Sequence, residues 1–231
     1  MWKDRTKVLI GEVGVEKLAK AKVAVIGIGG VGGWACVMLA RAGVENLRLV
    51  DFDRIDETNI NRQFVADTTT IGRLKTEVMQ EKLLEINPSC KVEVISQRLT
   101  KDNIQEIIKQ DFDYVIDAID SVQDKVELIC FCKEHNINII SAMGSGNRID
   151  VPEFKVVDIY KTSNDGLARV MRKKLRERKV DKLDVAVSTQ CAIKHDESVC
   201  ESKNVVGSIS YYPAMCGCVL SAYVVKKILA K

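Results

Sequence analysis

Across residues 22–143 short β-branched runs alternate with longer segments whose apolar residues recur at helical spacing, and that rhythm limits the fold more than any other feature. Residues 22–28 (KVAVIGI) read as a strand ending in glycines, and Ala35, Met38, Leu39 and Ala42 mark the face of a following helix. Residues 46–51 form the next strand, and a helix over 73–86 carries Met79, Leu83 and Ile86 on one side before Asn87 and Pro88 stop it. Further strands are expected at 91–99, 113–120 and 138–143, with a short helix capped by Thr100 and a longer one over 121–135. Strands separated by helices of this length form βαβ units, so the expected fold is α/β: a Rossmann-like, doubly wound, mostly parallel sheet.

After Gly146 the rhythm changes. A strand at 154–159, a strongly basic helix at 165–179 and a strand at 183–188 lead through a polar loop to a final helix. The expectation is one domain over 1–231, with a nucleotide-binding core at 1–146 and a C-terminal elaboration at 147–231. The apolar run 215–225 is stopped by Lys226 and Lys227, short of the roughly 20 residues needed to cross a bilayer, and reads as a packed helix. The charged N-terminus lacks the apolar core of a signal peptide, so a cytoplasmic protein without a membrane partner is expected. A net charge of +3 does not by itself require a polyanionic partner. Eight cysteines without a secretory signal suggest reduced thiols or a metal site rather than disulfides.

Gly27, Gly29 and Gly32 make GxGxxG directly after the first strand and before a helix. Glycines there permit a tight turn and let backbone N–H groups approach a phosphate at the positive end of the helix. Asp51 follows at the end of the second strand, where a carboxylate can hold ribose hydroxyls. This pattern suits NAD or ATP equally. Asn59, Asn61, Arg62 and Gln63 on the next loop, Lys75 at the start of a helix, and Asp117 and Asp120 at the end of the fourth strand favour ATP. A triphosphate under attack needs cations and a divalent metal to offset charge on the leaving pyrophosphate, whereas a dinucleotide does not.

With these residues in place the chain resembles a known family. GIGGVGG, LVDFDRIDETNINRQF, GRLKTEVM and VIDAIDS are similar to the adenylation signature of the ThiF and MoeB-like, ubiquitin-activating superfamily. The resemblance implies that Gly27, Gly29, Gly30 and Gly32 form the nucleotide loop and that Asp51 binds ribose. Asn59, Arg62 and Lys75 are then the phosphate contacts, with Asp53 and Asn61 as weaker carry-overs, and Asp120 is the Mg²⁺ carboxylate. Arg5 occupies the place of an N-terminal arginine that reaches the triphosphate, often across a homodimer interface. A monovalent cation is admitted as a further cofactor.

Within that superfamily, GSGNRID, DIYKT, the basic helix and GSISYYP resemble the tRNA threonylcarbamoyladenosine dehydratases. The implied reaction is ATP-dependent cyclisation of the modified adenosine through an acyl-adenylate. Arg169, Arg172, Lys173, Lys174, Arg176 and Arg178 would then track tRNA phosphates. Their bland alternative is a solvated helix face. Tyr211 and Tyr212 could stack on bases or pack internally. A sulfur-transfer protein is admitted as a partner. The competing reading is an adenylyltransferase acting on the C-terminus of a sulfur-carrier or ubiquitin-like protein, which would use the same ATP site. An NAD-dependent oxidoreductase leaves the NINRQ segment without a job, and a non-catalytic binding module does not explain the intact Arg62, Lys75 and Asp120.

The cysteines fit neither zinc nor thioester chemistry well. There is no CxxC pair; Cys130 with Cys132 and Cys216 with Cys218 are spaced by one residue on helices, which is poor spacing for tetrahedral zinc. Cys36 and Cys90 read as packing. Cys191 and Cys200 sit in the polar loop with His195 between them, a position where a transfer cysteine would lie. Replacing Cys191 and Cys200 together by serine is expected to leave tRNA-dependent turnover intact, measured by nucleoside mass spectrometry; complete loss would show that a thiol takes part.

Overall fold

A computed structural model describes residues 2–193 and 206–230. Seven strands, β1 (Lys22–Ile26), β2 (Asn46–Val50), β3 (Lys91–Ile95), β4 (Tyr114–Asp117), β5 (Ile139–Ala142), β6 (Phe154–Asp158) and β7 (Asp184–Ser188), form one sheet. Their order is β3-β2-β1-β4-β5-β7-β6. All neighbours are parallel except β6 with β7, where Phe154 faces Ser188 and Asp158 faces Asp184. The chain runs outward from β1 in one direction and resumes at β4 on the other side, so the β1/β4 junction is a topological switch point.

Side-chain alternation along the strands covers both faces of the sheet. Val23, Val25, Leu47, Leu49 and Ile116 join one core with α2 (Gly32–Ala42), α3 (Lys75–Ile86) and α7 (Tyr211–Leu229). Ala24, Ile26, Val115 and Ile139 join the other with α4 (Ile104–Ile107), α5 (Val122–Glu134) and α6 (Gly166–Glu177). Ser121 caps α5 and Asp165 caps α6, each with a side-chain oxygen accepting a first-turn N–H.

Several expected boundaries move. The strands expected at 22–28, 91–99 and 113–120 are shorter, because the chain leaves the ladder where it turns to form the C-terminal loops. Thr100 does not cap the short helix. Asn103 occupies the N-cap position, and its side-chain oxygen accepts the Thr100 N–H at 2.8 Å. An N-terminal helix, α1 (Asp4–Lys20), had no sequence signal; its dihedrals break at Gly11 (φ 70°, ψ 176°) and its apolar residues are poorly segregated. Val8 and Leu9 on it are each 85% exposed.

Among the described residues α7 is the one helix long and apolar enough to cross a membrane by length and composition. Its setting is that of a core helix: Tyr212, Cys216, Leu220, Val224 and Ile228, spaced by four residues, are all buried against the sheet and α2. The crossing is close because Gly217 has no side chain. A Cβ there would lie 2.4 Å from the Val31 carbonyl oxygen and 2.9 Å from the Ala35 nitrogen. Gly217→Ala is therefore expected to lower stability by about 1–3 kcal/mol, since neither backbone group can yield without moving α2, as measured by thermal or urea denaturation.

Candidate active site

A cleft of about 470 Å³ opens over the C-terminal ends of β1, β2 and β4, at the switch point. Its floor begins at the glycine turn. Gly27 has φ 90°, and a Cβ on it would meet the Ala118 carbonyl oxygen at 2.6 Å. Gly32 has still less room: its Cβ would lie 1.8 Å from the Gly27 carbonyl oxygen. These two glycines let β1, α2 and the end of β4 approach one another. Gly32 itself does not line the cleft, so its contribution is packing rather than ligand contact. Gly29 and Gly30 do line it. The first turn of α2 carries no acidic residue, which leaves the positive end of the helix uncompensated beside the cleft.

The polar and charged groups expected from the sequence divide into those the fold brings here and those it does not. Asp51, Asp53, Asn59, Arg62, Lys75 and Asp120 all line the cleft. One Asp51 oxygen accepts the Ile28 N–H at 2.6 Å and the other the Asp53 N–H at 2.8 Å. Burial pushes the Asp51 carboxyl above its ordinary pKa, with the Lys75 charge and these two amides opposing the shift. Lys75 is only 5% exposed and its ammonium donates to Asp53 Oδ2 at 2.7 Å. An ammonium has three donors, so this contact holds Lys75 in the cleft without exhausting it. Asn59 is buried, with its oxygen accepting the Asp56 N–H. Arg62 donates to the Thr58 carbonyl and to Asn61 Oδ1, both at 2.8 Å.

Three expected placements change. Asn61 stays outside the cleft lining and donates instead to the Ser208 carbonyl at 3.0 Å, tying its loop to the segment before α7. Asp117 does not share the open edge with Asp120. It is fully buried, bonded to the Lys125 ammonium at 2.8 Å and the Ser141 hydroxyl at 2.5 Å, while Asp120 is exposed in the cleft. Arg5 is exposed on α1 and is not among the residues lining this chain's own cleft.

Two further cleft residues, Arg98 and Asp124, carried no sequence signal. Arg98 donates to Asp124 at 2.8–2.9 Å and stands over the Phe52 ring at 5.8 Å, forming a wall from three separate segments. Gln63 is 7% exposed, and its side-chain oxygen has no partner among the described residues. Ser145 and Gly146 complete the opposite side. The sequence named Gln63 beside Arg62, but only packing shows that its acceptor is left open.

The basic helix is an exposed ridge with partly engaged charges. Arg172 donates to Thr162, Arg178 binds both carboxylate oxygens of Glu127 at 2.7 and 3.1 Å, and Arg176 stacks 5.1 Å from the Tyr160 ring. Arg169, Lys173 and Lys174 are exposed, and no side-chain bond occupies them among the described residues. Tyr212 is internal, its hydroxyl 2.6 Å from Ser188 Oγ, so stacking on a base is excluded for it; Tyr211 is exposed.

Cys130 and Cys132 lie in one core, and Cys216 lies in the other. Burial pushes the thiols of Cys132 and Cys216 up to about 12 and that of Cys90 up to about 11; Cys36, Cys130 and Cys218 also shift upward. These six are poor nucleophiles at neutral pH. Cys191 is exposed, whereas His195 and Cys200 lie outside the described residues. Among the described residues no group of three or more His, Cys, Asp or Glu side chains could hold a metal ion.

The chain resembles characterised proteins over its whole length. The Bacillus subtilis tRNA threonylcarbamoyladenosine dehydratase is 35% identical, covering 98% of this chain and 94% of that protein. The Haemophilus influenzae dehydratase is 45% identical over a shorter alignment that spans 70% of this chain and 62% of the relative. Among solved structures, the E. coli dehydratase TcdA in complex with ATP superposes with a TM-score of 0.90 at 34% identity, covering 99% of this chain and 95% of TcdA. The ThiF family model matches residues 4–231, and the chain belongs to the ThiF family.

Proposed function

We propose that this protein is an ATP-dependent tRNA threonylcarbamoyladenosine dehydratase. The observation that carries the chemistry is the convergence of Gly29, Gly30, Arg62, Lys75 and Asp120 on one cleft at the switch point. Bare glycine backbone and the end of α2 suit phosphates, Asp51 suits the ribose, and Arg62 with Lys75 offsets charge on the departing pyrophosphate. The near-full-length likeness to dehydratases supports tRNA as the substrate.

Asp120 is a suitable carboxylate for Mg²⁺, which commonly takes one or two protein carboxylates and completes its shell with phosphate oxygens and water. When bound the metal would neutralise phosphate charge. The substrate's threonyl carboxylate attacks the α-phosphorus, the bond to pyrophosphate breaks, and an acyl-adenylate forms. A ureido atom of the same modification then closes on the activated carbonyl and AMP leaves with the original carboxylate oxygen. Nucleophile and electrophile share one molecule, so proximity replaces covalent capture by the enzyme. The raised pKa values of the buried cysteines leave Cys191 and Cys200 as the thiols on which this route is tested.

In this reading residues 1–146 bind the nucleotide, and residues 147–231 serve substrate binding and dimerisation. Arg169, Lys173 and Lys174 are the residues best placed for tRNA phosphates, being exposed and uncommitted. A homodimer is supported by the exposed Trp2 just before α1 and the exposed Val8, Leu9 and Val13 on α1, the helix that also carries Arg5. Arg5 would act on the partner's triphosphate.

Incubation with threonylcarbamoyladenosine-containing tRNA should convert that nucleoside to a form lighter by one water only when ATP and Mg²⁺ are present. An unchanged nucleoside, together with pyrophosphate exchange on a Gly-Gly-tailed carrier protein, would reverse the assignment. Lys75→Met should lower turnover by at least about 100-fold, and Asp120→Ala should abolish it with the fold intact by circular dichroism. Mixing inactive Arg5→Ala and Asp120→Ala proteins tests action across the dimer: random exchange should restore about a quarter of wild-type activity, since half of the dimers are mixed and each has one complete site. No recovery after verified exchange would place Arg5 outside the partner's site.

A further inference from the structure

Behind the 144–146 wall of the cleft lies a buried ion pair, neither member of which lines the cleft itself. The side chains of Arg148 and Asp165 are 4% and 1% exposed and meet at 3.2 Å. Asp165 begins the basic helix α6, with Oδ1 accepting the Ala168 N–H at 2.8 Å. Its Oδ2 accepts both the Gly144 N–H at 3.1 Å and the Arg148 guanidinium. Arg148 in turn donates to the carbonyls of Gly144 and Gly146, each at 3.0 Å, and to the Gln190 carbonyl just after β7 at 3.0 Å. One planar fork therefore grips the cleft wall at two carbonyls and the helix cap at a third point.

Glycine at 144 is part of the device, because a Cβ there would lie 2.8 Å from Asp165 Oδ2. Net stability is a weak explanation for such a pair, since desolvation of two buried charges offsets much of their attraction. What the directional bonds supply is register between two surfaces. Ser145 and Gly146 line the cleft, and Arg169, one turn into α6, faces solvent.

We propose that Arg148 and Asp165 are positioning residues that lock the start of α6 to the 144–146 wall, so that a tRNA held on α6 presents its carboxylate to the bound nucleotide. This rests on the reading of α6 as a tRNA contact. The two surfaces need each other only when both ligands are present, so the pair should matter for turnover of tRNA more than for binding of ATP alone.

The test uses the full-length protein with Arg148→Met, Arg148→Lys and Asp165→Ser; serine keeps an N-cap acceptor while removing the bonds to Gly144 and Arg148. In Arg148→Met and Asp165→Ser, ATP affinity without tRNA should stay within about two-fold while kcat/KM for the modified tRNA falls at least about ten-fold, with partial recovery in Arg148→Lys. Unchanged tRNA kinetics would overturn the proposal, as would equal losses of ATP affinity and tRNA turnover, the mark of a merely structural pair. An Arg169→Glu, Lys173→Glu, Lys174→Glu protein separates the two layers. If it too leaves the KM for tRNA unchanged, the reading of α6 is wrong; if it raises that KM while Arg148→Met and Asp165→Ser have no effect, only the positioning role fails.

Discussion

The backbone contact between Gly27 and Ala118 is the constraint on which the site depends. It brings the end of β1 against the end of β4 at the point where the sheet changes direction, and neither segment could come so close with a side chain at position 27. Gly32 repeats the device one step later by letting α2 start directly over the turn. The cleft is the space left above these approaches. A helix that starts there directs its unpaired N–H groups into the gap, an arrangement that suits an anion.

Around that turn the protein ties its charges down before any ligand arrives. Lys75 is held by Asp53, Asp51 by two backbone amides, and Asp117 by Lys125 and Ser141. The last of these also serves Asp120: Asp117 Oδ1 accepts the Ile119 N–H at 3.1 Å, which fixes the short turn that carries the exposed carboxylate. Groups oriented by the fold need little reorganisation when charge develops on a phosphate, and such preorganisation is a large source of rate enhancement in adenylation. The internal charges thus contribute more through orientation than through net stability.

The C-terminal part completes the site instead of standing beside it. β7 extends the sheet from β5, β6 closes its edge antiparallel, and α7 crosses α2 at Gly217. Pro213 at the start of α7 and Ser208 just before it line the cleft. Asn61 reaches across to the Ser208 carbonyl, so the loop after β2 and the segment before the last helix are joined.

Much of this was legible in local sequence. Period-two and helical patterns gave the order of elements from 22 to 188, because both faces of a doubly wound sheet must be apolar and each helix must show one apolar stripe. The spacing of Gly27, Gly29 and Gly32, and the positions of Asp51, Arg62, Lys75 and Asp120 at strand ends and loops, located the edge of the sheet where the cleft lies, since such turns demand particular residues. Local pattern could not reveal α1, whose apolar residues follow no single stripe, or the Arg98–Asp124–Phe52 wall, whose parts are far apart in the chain. Nor could it separate Asp117 from Asp120: both end the same strand region, and only the burial of Lys125 and Ser141 around one of them decides which carboxylate is internal. Sequence by itself determined the fold class and the glycine-lined edge over which the cleft opens, because backbone periodicity and glycine sterics are local properties. Tertiary structure alone decided which charges are paired, buried or open to a ligand, because those depend on neighbours brought together from distant parts of the chain.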